Sequence, residues 1–238
     1  MMEKLTVNNL SSHLFKYNAL LVGTVFLMWL YKQHANRKKH SEIDELLFMK
    51  RTDCCKRENN CDNEHCYNYV FQRMKSLIDG AQYSVYVCMN IFTSASLGEV
   101  VLRAHQRGVL VKIIANYSTE YASGSQITML HINGIPVKQP KTHGHMHHKF
   151  CLIDTDKSTK KIVVPGALRI PSNGVVMTGS MNWTFQAMDQ NWENLRITSD
   201  KFFVEKFHNE FNAIWNNANV DDFRRQSGSK GGINQQRN

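Results

Sequence analysis

Short β-branched and aromatic runs recur through the middle of the chain, and stretches with helical spacing separate the first three of them. "YSVYVCM" from Tyr83 is followed by "LGEVVLRAHQR", then by "VLVKIIA" from Val109, then by Gln126 to Ile132, and then by "IPVK". Strand, helix, strand, helix, strand leaves few topologies open, because each crossover helix sets its two strands parallel and with one hand. Upstream, Val70, Phe71, Met74, Leu77 and Ile78 fall at helical spacing within Tyr67 to Asp79, and Gly80 is placed to stop that helix. Ser96 and Glu99 have capping-box spacing for the next helix, which Gly108 would close. Strand-like runs continue with "HGHMHHKFCLID", "GVVMTGSMNW" and "ENLRITSD", and Asp200 can cap a last helix reaching about Trp215. The fold class predicted is α/β.

A chain of 238 residues can build one full-sized core with appendages. Its formal charge of +9 suits a phosphate-bearing partner, nucleic acid or anionic lipid, although a basic surface alone decides neither. The N-terminus narrows the choice. Ala19 to Tyr31 carries no charge, short for a membrane span but extended by a snorkelling Lys16. Lys32, Arg37, Lys38 and Lys39 outweigh Lys4 and Lys16, which would leave the main domain in the cytosol. A signal anchor therefore fits better than a cleaved signal peptide or a buried helix. The expected divisions are an anchor with its basic flank at 1–40, a Cys/His module at 41–66, a catalytic domain at 67–222 and a disordered tail at 223–238.

That module holds Cys54, Cys55, Cys61, His65 and Cys66, five candidates for the four tetrahedral positions of a structural zinc ion. Cys54, Cys61 and His65 are the firmest three, with Cys55 or Cys66 as the fourth; the competing reading is a cluster of unpaired thiols. Cys88 and Cys151 lie in apolar runs and read as buried thiols. The usage suggests a reducing compartment.

On a strand, alternate residues share a face, so His143, His145, His147 and Lys149 would line one side while His148, Phe150 and Leu152 line the other. An ammonium among the imidazoles repels a divalent cation, which argues against a catalytic metal here. If "FCLID" and "GVVMT" form an antiparallel hairpin, Gly179, Ser180 and Asn182 return beside His147 and Lys149. The polar insertion from Thr155 to Asn173, with Lys157, Lys160, Lys161 and Arg169, then lies at the far end of the hairpin. The assembled set suits a phosphodiester: Lys and Asn donate to nonbridging oxygens, glycine lets the backbone come close, and His attacks phosphorus.

His147-x-Lys149, then Asp154, then Gly179-Ser180-x-Asn182 is the H-x-K-x4-D and G-S-x-N pattern of the phospholipase D superfamily. "MHHKFCLID", "GSQI", "TGSMNWT" and "NxENLRIT" resemble its single-motif branch, the Zucchini endonucleases or mitochondrial cardiolipin hydrolases. The resemblance implies a phospholipase D-like mixed β-sheet flanked by helices on both faces. It implies that His147 forms a phosphohistidine, that Lys149, Ser180 and Asn182 bind the phosphate, and that Glu193 orients the histidine. Glu193 also has a plain reading as a surface charge at a strand end. Asp154 matches the motif's acid and, at the far end of its strand, reads as mainly structural.

A histidine mechanism needs a second imidazole to protonate the leaving oxygen, so one motif per chain predicts a homodimer that shares the site. The resemblance further implies cleavage of single-stranded RNA, a role in piRNA production with proteins of that pathway as partners, and placement on the mitochondrial outer membrane. Cardiolipin hydrolysis to phosphatidic acid is the alternative, and a non-catalytic membrane-tethered scaffold the third reading.

Overall fold

The computed structural model describes residues 18, 21–32, 43–49, 63–119, 123–140, 144–217 and 220–223. The chain divides into two units, Met1–Glu42 and Ile43–Asn238. In the first, residues 21–32 are helical and expose their apolar side chains, Leu21, Phe26, Met28 and Trp29 among them. Among the described residues no helix is long and apolar enough to cross a membrane. The expected span from Leu14 lies partly outside the described residues, as do His143, Cys54, Cys55, Cys61 and nearly all of the expected tail.

The second unit is built on one eight-stranded mixed sheet. Its strands are β1 (Asp44–Met49), β2 (Ser84–Met89), β3 (Leu110–Ala115), β4 (Val137–Pro140), β5 (Lys149–Ile153), β6 (Val175–Gly179), β7 (Glu193–Thr198) and β8 (Val220–Asp222). They are ordered β1-β7-β6-β5-β2-β3-β4-β8. β2, β3 and β4 are parallel, as the strand-helix rhythm requires, and every other pairing is antiparallel. The helices are α1 (Tyr67–Asp79), α2 (Ala95–Gln106), α3 (Ile127–Ile132), α4 (Phe185–Asp189) and α5 (Lys201–Trp215).

Alternation along the central strands feeds two cores. Val85, Val87 and Met89 of β2, with Cys151 and Ile153 of β5, pack with Val70, Met74, Leu77 and Ile78 of α1 and with Leu97, Val100 and Val101 of α2. Tyr86, Cys88, Phe150, Leu152 and Val176 face the other way, onto Val204 and Phe211 of α5. Both faces are covered, so the central strands carry apolar residues at nearly every position. Cys88 and Cys151 are buried free thiols.

Several boundaries differ from expectation. β1 belongs to the main sheet and not to the Cys/His module: Ile43, Leu47 and Met49 are core, while Asp44 pairs with Arg196 and Glu45 with Arg73. Two acids in a row hid the strand's alternation, and as an edge strand β1 can carry them. Helix α2 is capped by Ser94, whose hydroxyl accepts from the Leu97 amide, so it starts before Ser96. Phe223 is buried, which moves the core's end into the segment expected to be tail. Cys66, at the start of α1, is buried and disulfide-bonded.

Candidate active site

The regular part of β5 begins only at Lys149, so the histidines precede the strand instead of lying on it. Side chains hold this approach. Met146 is buried in the α5-side core, where the Cys88 thiol meets its sulfur at 3.5 Å. His148 lies against Glu210 of α5 at 3.2 Å and edge-on to Phe150, and its carbonyl accepts the Asn90 amide. His147 lies between these two anchors and is exposed. His145 is exposed as well, its Nδ1 at 3.3 Å from the Ser118 hydroxyl.

The ammonium of Lys149 lies 3.3 Å from His147 Nδ1 and donates to the His147 carbonyl at 2.9 Å. Burial pulls the Lys149 pKa below the ordinary lysine value, and the negative charge of Glu193 pushes it back up. The alkaline limb of a Lys149-dependent reaction should therefore fall below the ordinary lysine range. Replacing Glu193 by Gln removes the upward push. A pH profile of kcat/KM should then show the limb moved to lower pH in Glu193→Gln, and an unmoved limb would deny the coupling.

The second motif is pinned in the same way. The hairpin register pairs Phe150 with Thr178, and the Thr178 hydroxyl reaches the Lys149 carbonyl at 3.3 Å, which brings the end of β6 alongside Lys149. Met181 and Trp183 are buried on either side of Asn182. The Trp183 amide donates to the Ile91 carbonyl, and the Ile91 amide donates to Asn182 Oδ1 at 3.3 Å. With its oxygen so used, Asn182 has its NH2 to offer a phosphate oxygen.

Gly179 has a structural cause. A Cβ there would come within 2.0 Å of the Asn194 carbonyl oxygen, so the close approach it permits is between β6 and β7, not toward a ligand. Ser180 is held by β7: its hydroxyl donates to Glu193 and accepts the Asn194 amide at 3.0 Å. Glu193 also accepts from the Asn191 side chain at 3.0 Å. Within one chain Glu193 thus binds Ser180 and Asn191 and acts electrostatically on Lys149.

Asp154 lies at the opposite end of β5 from Lys149. Its carboxylate accepts from the backbone amides of Gln82, Tyr83 and Ser84 at 2.7 to 3.1 Å, and its backbone adopts φ 55°. Burial pushes the carboxyl upward, while these amides and Lys157 pull it down. It ties the hairpin end to the start of β2. The insertion lies at that same end, with Asp156 bonded to the buried Tyr86 and Thr159 to the Tyr83 carbonyl.

His65 Nδ1 lies 3.1 Å from the Phe48 carbonyl. A backbone carbonyl on one ring nitrogen is the arrangement that orients a metal-ligating histidine, so His65 fits a zinc site. Cys66 does not fit while oxidised, because a disulfide sulfur is no thiolate. His65 also borders a cavity of about 660 Å³ lined by Phe48, Met49, Ser180, Trp192, Glu193 and Asn194. Sequence reasoning missed this feature. Its one available signal was a tryptophan beside the acid in "QNWEN".

The exposed His147 and Ser180 and the half-buried Lys149, Asn182 and Glu193 thus stand at one end of a mixed sheet, the arrangement expected of a phospholipase D-type fold. The profile of the family described as "Cardiolipin synthase, PLD-like domain" matches residues 74–215, and the chain belongs to this phospholipase D-like family of hydrolases. It is 33% identical over 84% of its length to the mitochondrial cardiolipin hydrolase of Xenopus tropicalis, covering 89% of that relative. To the mitochondrial cardiolipin hydrolase of Drosophila melanogaster it is 38% identical over 65% of its length, and the match spans 62% of that relative. Among solved structures, Nuc of Salmonella typhimurium, a phospholipase D family member, shares the fold, with a TM-score of 0.55 and 22% identity over 77% of this chain and 99% of Nuc.

Proposed function

We propose that the chain is a phosphodiesterase that cleaves single-stranded RNA through a phosphohistidine on His147, in a site shared by two copies. The carrying observation is the placement of the Lys149 ammonium against the exposed His147 imidazole, with Ser180 and Glu193 beyond it. An ammonium at the imidazole suits an anionic phosphate and repels a metal ion.

In the first step an imidazole nitrogen of His147 attacks phosphorus, a P–N bond forms and the bond to the 3′-oxygen breaks. The leaving oxygen takes its proton from the imidazolium of His147 in the second copy. Lys149 and Asn182 hold the nonbridging oxygens. Water then attacks phosphorus, gives its proton to that second imidazole, and the P–N bond breaks. The products carry a 5′-phosphate and a 3′-hydroxyl, and DNA is cut as well because the 2′-hydroxyl takes no part. The exposure of His147 supports the shared site, since a second copy can reach it.

The names of the relatives favour a second reading, cardiolipin cleaved to phosphatidic acid by the same catalyst. Purified protein assayed side by side on single-stranded RNA and on cardiolipin vesicles, each with a His147→Ala control, separates the two. RNA cleavage lost in the control supports the proposal; phosphatidic acid release without RNA cleavage replaces it. The relatives also support a mitochondrial location. A single-pass outer-membrane anchor, with the catalytic unit in the cytosol and piRNA-pathway proteins as partners, rests on the sequence, on the uncharged run from Ala19 to Tyr31 and the Arg37, Lys38 and Lys39 that follow it.

The Cys/His segment is proposed to hold one structural zinc ion through His65, thiolates from Cys54 and Cys61, and a fourth ligand from Cys55 or Cys66. Zinc and a disulfide exclude one another at Cys66. Protein purified under reductant should contain about one zinc per chain, and oxidation should release it. Metal analysis finding no zinc in the reduced protein would remove the ion from the account.

A further inference from the structure

The cavity beside Ser180 and Glu193 offers more than phosphate binding. It shares Ser180 with the expected phosphate site, and Glu193 is bonded to that serine, so the cavity adjoins the place of a phosphodiester seated against Ser180. Its volume, about 660 Å³, lies in the range of small-molecule sites. Phe48 of β1 faces Asn194 of β7 across the sheet edge, and Trp192 stands one residue before β7; the two aromatic side chains are 49% and 73% exposed. Asn194 and His65 add an amide and an imidazole to the same walls.

This mixture selects between possible arms. An acyl chain would cover the Glu193 carboxylate and the Asn194 amide without bonding to them, which is unfavourable. A nucleobase has a flat apolar face for the aromatic rings and a hydrogen-bonding edge for the polar groups. We infer that the cavity is a nucleobase subsite, in which Trp192 and Phe48 stack on the base next to the scissile phosphate while Asn194 meets its edge. The inference rests on the single-stranded RNA reading proposed above and states where the enzyme grips the strand. Because every base has a π-face, such a subsite tolerates most sequences and favours those that stack well.

A single abasic residue moved along a labelled single-stranded oligonucleotide tests this with the full-length protein. In the wild type, the phosphate on one side of the abasic residue should be cut roughly tenfold more slowly than the same phosphate in the intact strand. Trp192→Ala should slow the intact strand by a similar factor and erase the difference between the two strands, whereas Trp192→Phe should keep it. Phe48→Ala repeats the test should Trp192→Ala fail to fold. Cutting by the wild type that ignores the abasic residue, or an abasic effect that persists in both alanine variants, overturns the subsite and leaves the RNA reading standing. A wild type that cuts no oligonucleotide but releases phosphatidic acid from cardiolipin vesicles overturns the RNA reading, and the subsite with it.

Discussion

His147→Ala is expected to lower phosphodiester cleavage about a thousandfold or more, while its thermal unfolding stays within roughly 0.5 kcal/mol of wild type. Two facts separate activity from stability here. The imidazole is exposed, and the residues that hold its segment are its neighbours, Met146 in the core and His148 on Glu210. The loss is large because one substitution removes the nucleophile from one copy and the acid from the other. Mixed dimers sharpen the point. At equal total protein, a one-to-one exchanged mixture with His147→Ala should keep roughly a quarter of the wild-type activity if a dimer needs both imidazoles and roughly half if each copy works independently. A gel assay across a range of mixing ratios distinguishes a quadratic from a linear dependence.

Asp154→Ala should do the reverse. It leaves the amides of Gln82, Tyr83 and Ser84 without their acceptor, and it places alanine at φ 55°, which aspartate and asparagine tolerate better. A destabilisation of about 3 kcal/mol is expected, a fall in Tm of roughly 6–12 °C. Asp154→Asn keeps an acceptor oxygen and the backbone preference and should cost about 1 kcal/mol. At temperatures where each variant is folded, kcat should be close to wild type, since the carboxylate lies at the strand end away from Lys149. A normal Tm with lost turnover would instead place Asp154 in the chemistry.

The contrast between these two residues bears on what the sequence discloses. Both stand in one motif, yet only a strand-length argument separated the chemical end from the structural one, and the carboxylate's three amide partners agree with that argument. Elements with strong periodicity and a cap were legible, as with α1 from Tyr67 to Asp79 and α5 behind Asp200. The return of the β6 end to Lys149 followed from a hairpin of adjacent strands. The role of Gly179 was less visible, because its crowding comes from Asn194 on β7.

Features that depend on distant pairing were not legible. β1 and β7 are far apart in sequence, and their pairing creates the cavity wall at Phe48 and places His65 beside Ser180. The polar character of Asp44 and Glu45 is resolved only by Arg196 and Arg73, which no local pattern points to. The histidine approach was expected as strand because its residues alternate. It is irregular up to Lys149 because Met146, His148 and Asn90 hold it by side chains and single backbone bonds instead of a continuous ladder.

The central claim is that His147, and not a ribose hydroxyl, attacks phosphorus in single-stranded RNA. End-group analysis of the fragments tests it most directly. The account predicts 5′-phosphate and 3′-hydroxyl ends, with the same ends from a 2′-deoxy strand. Fragments ending in 2′,3′-cyclic phosphate and 5′-hydroxyl, with the deoxy strand left intact, would contradict it.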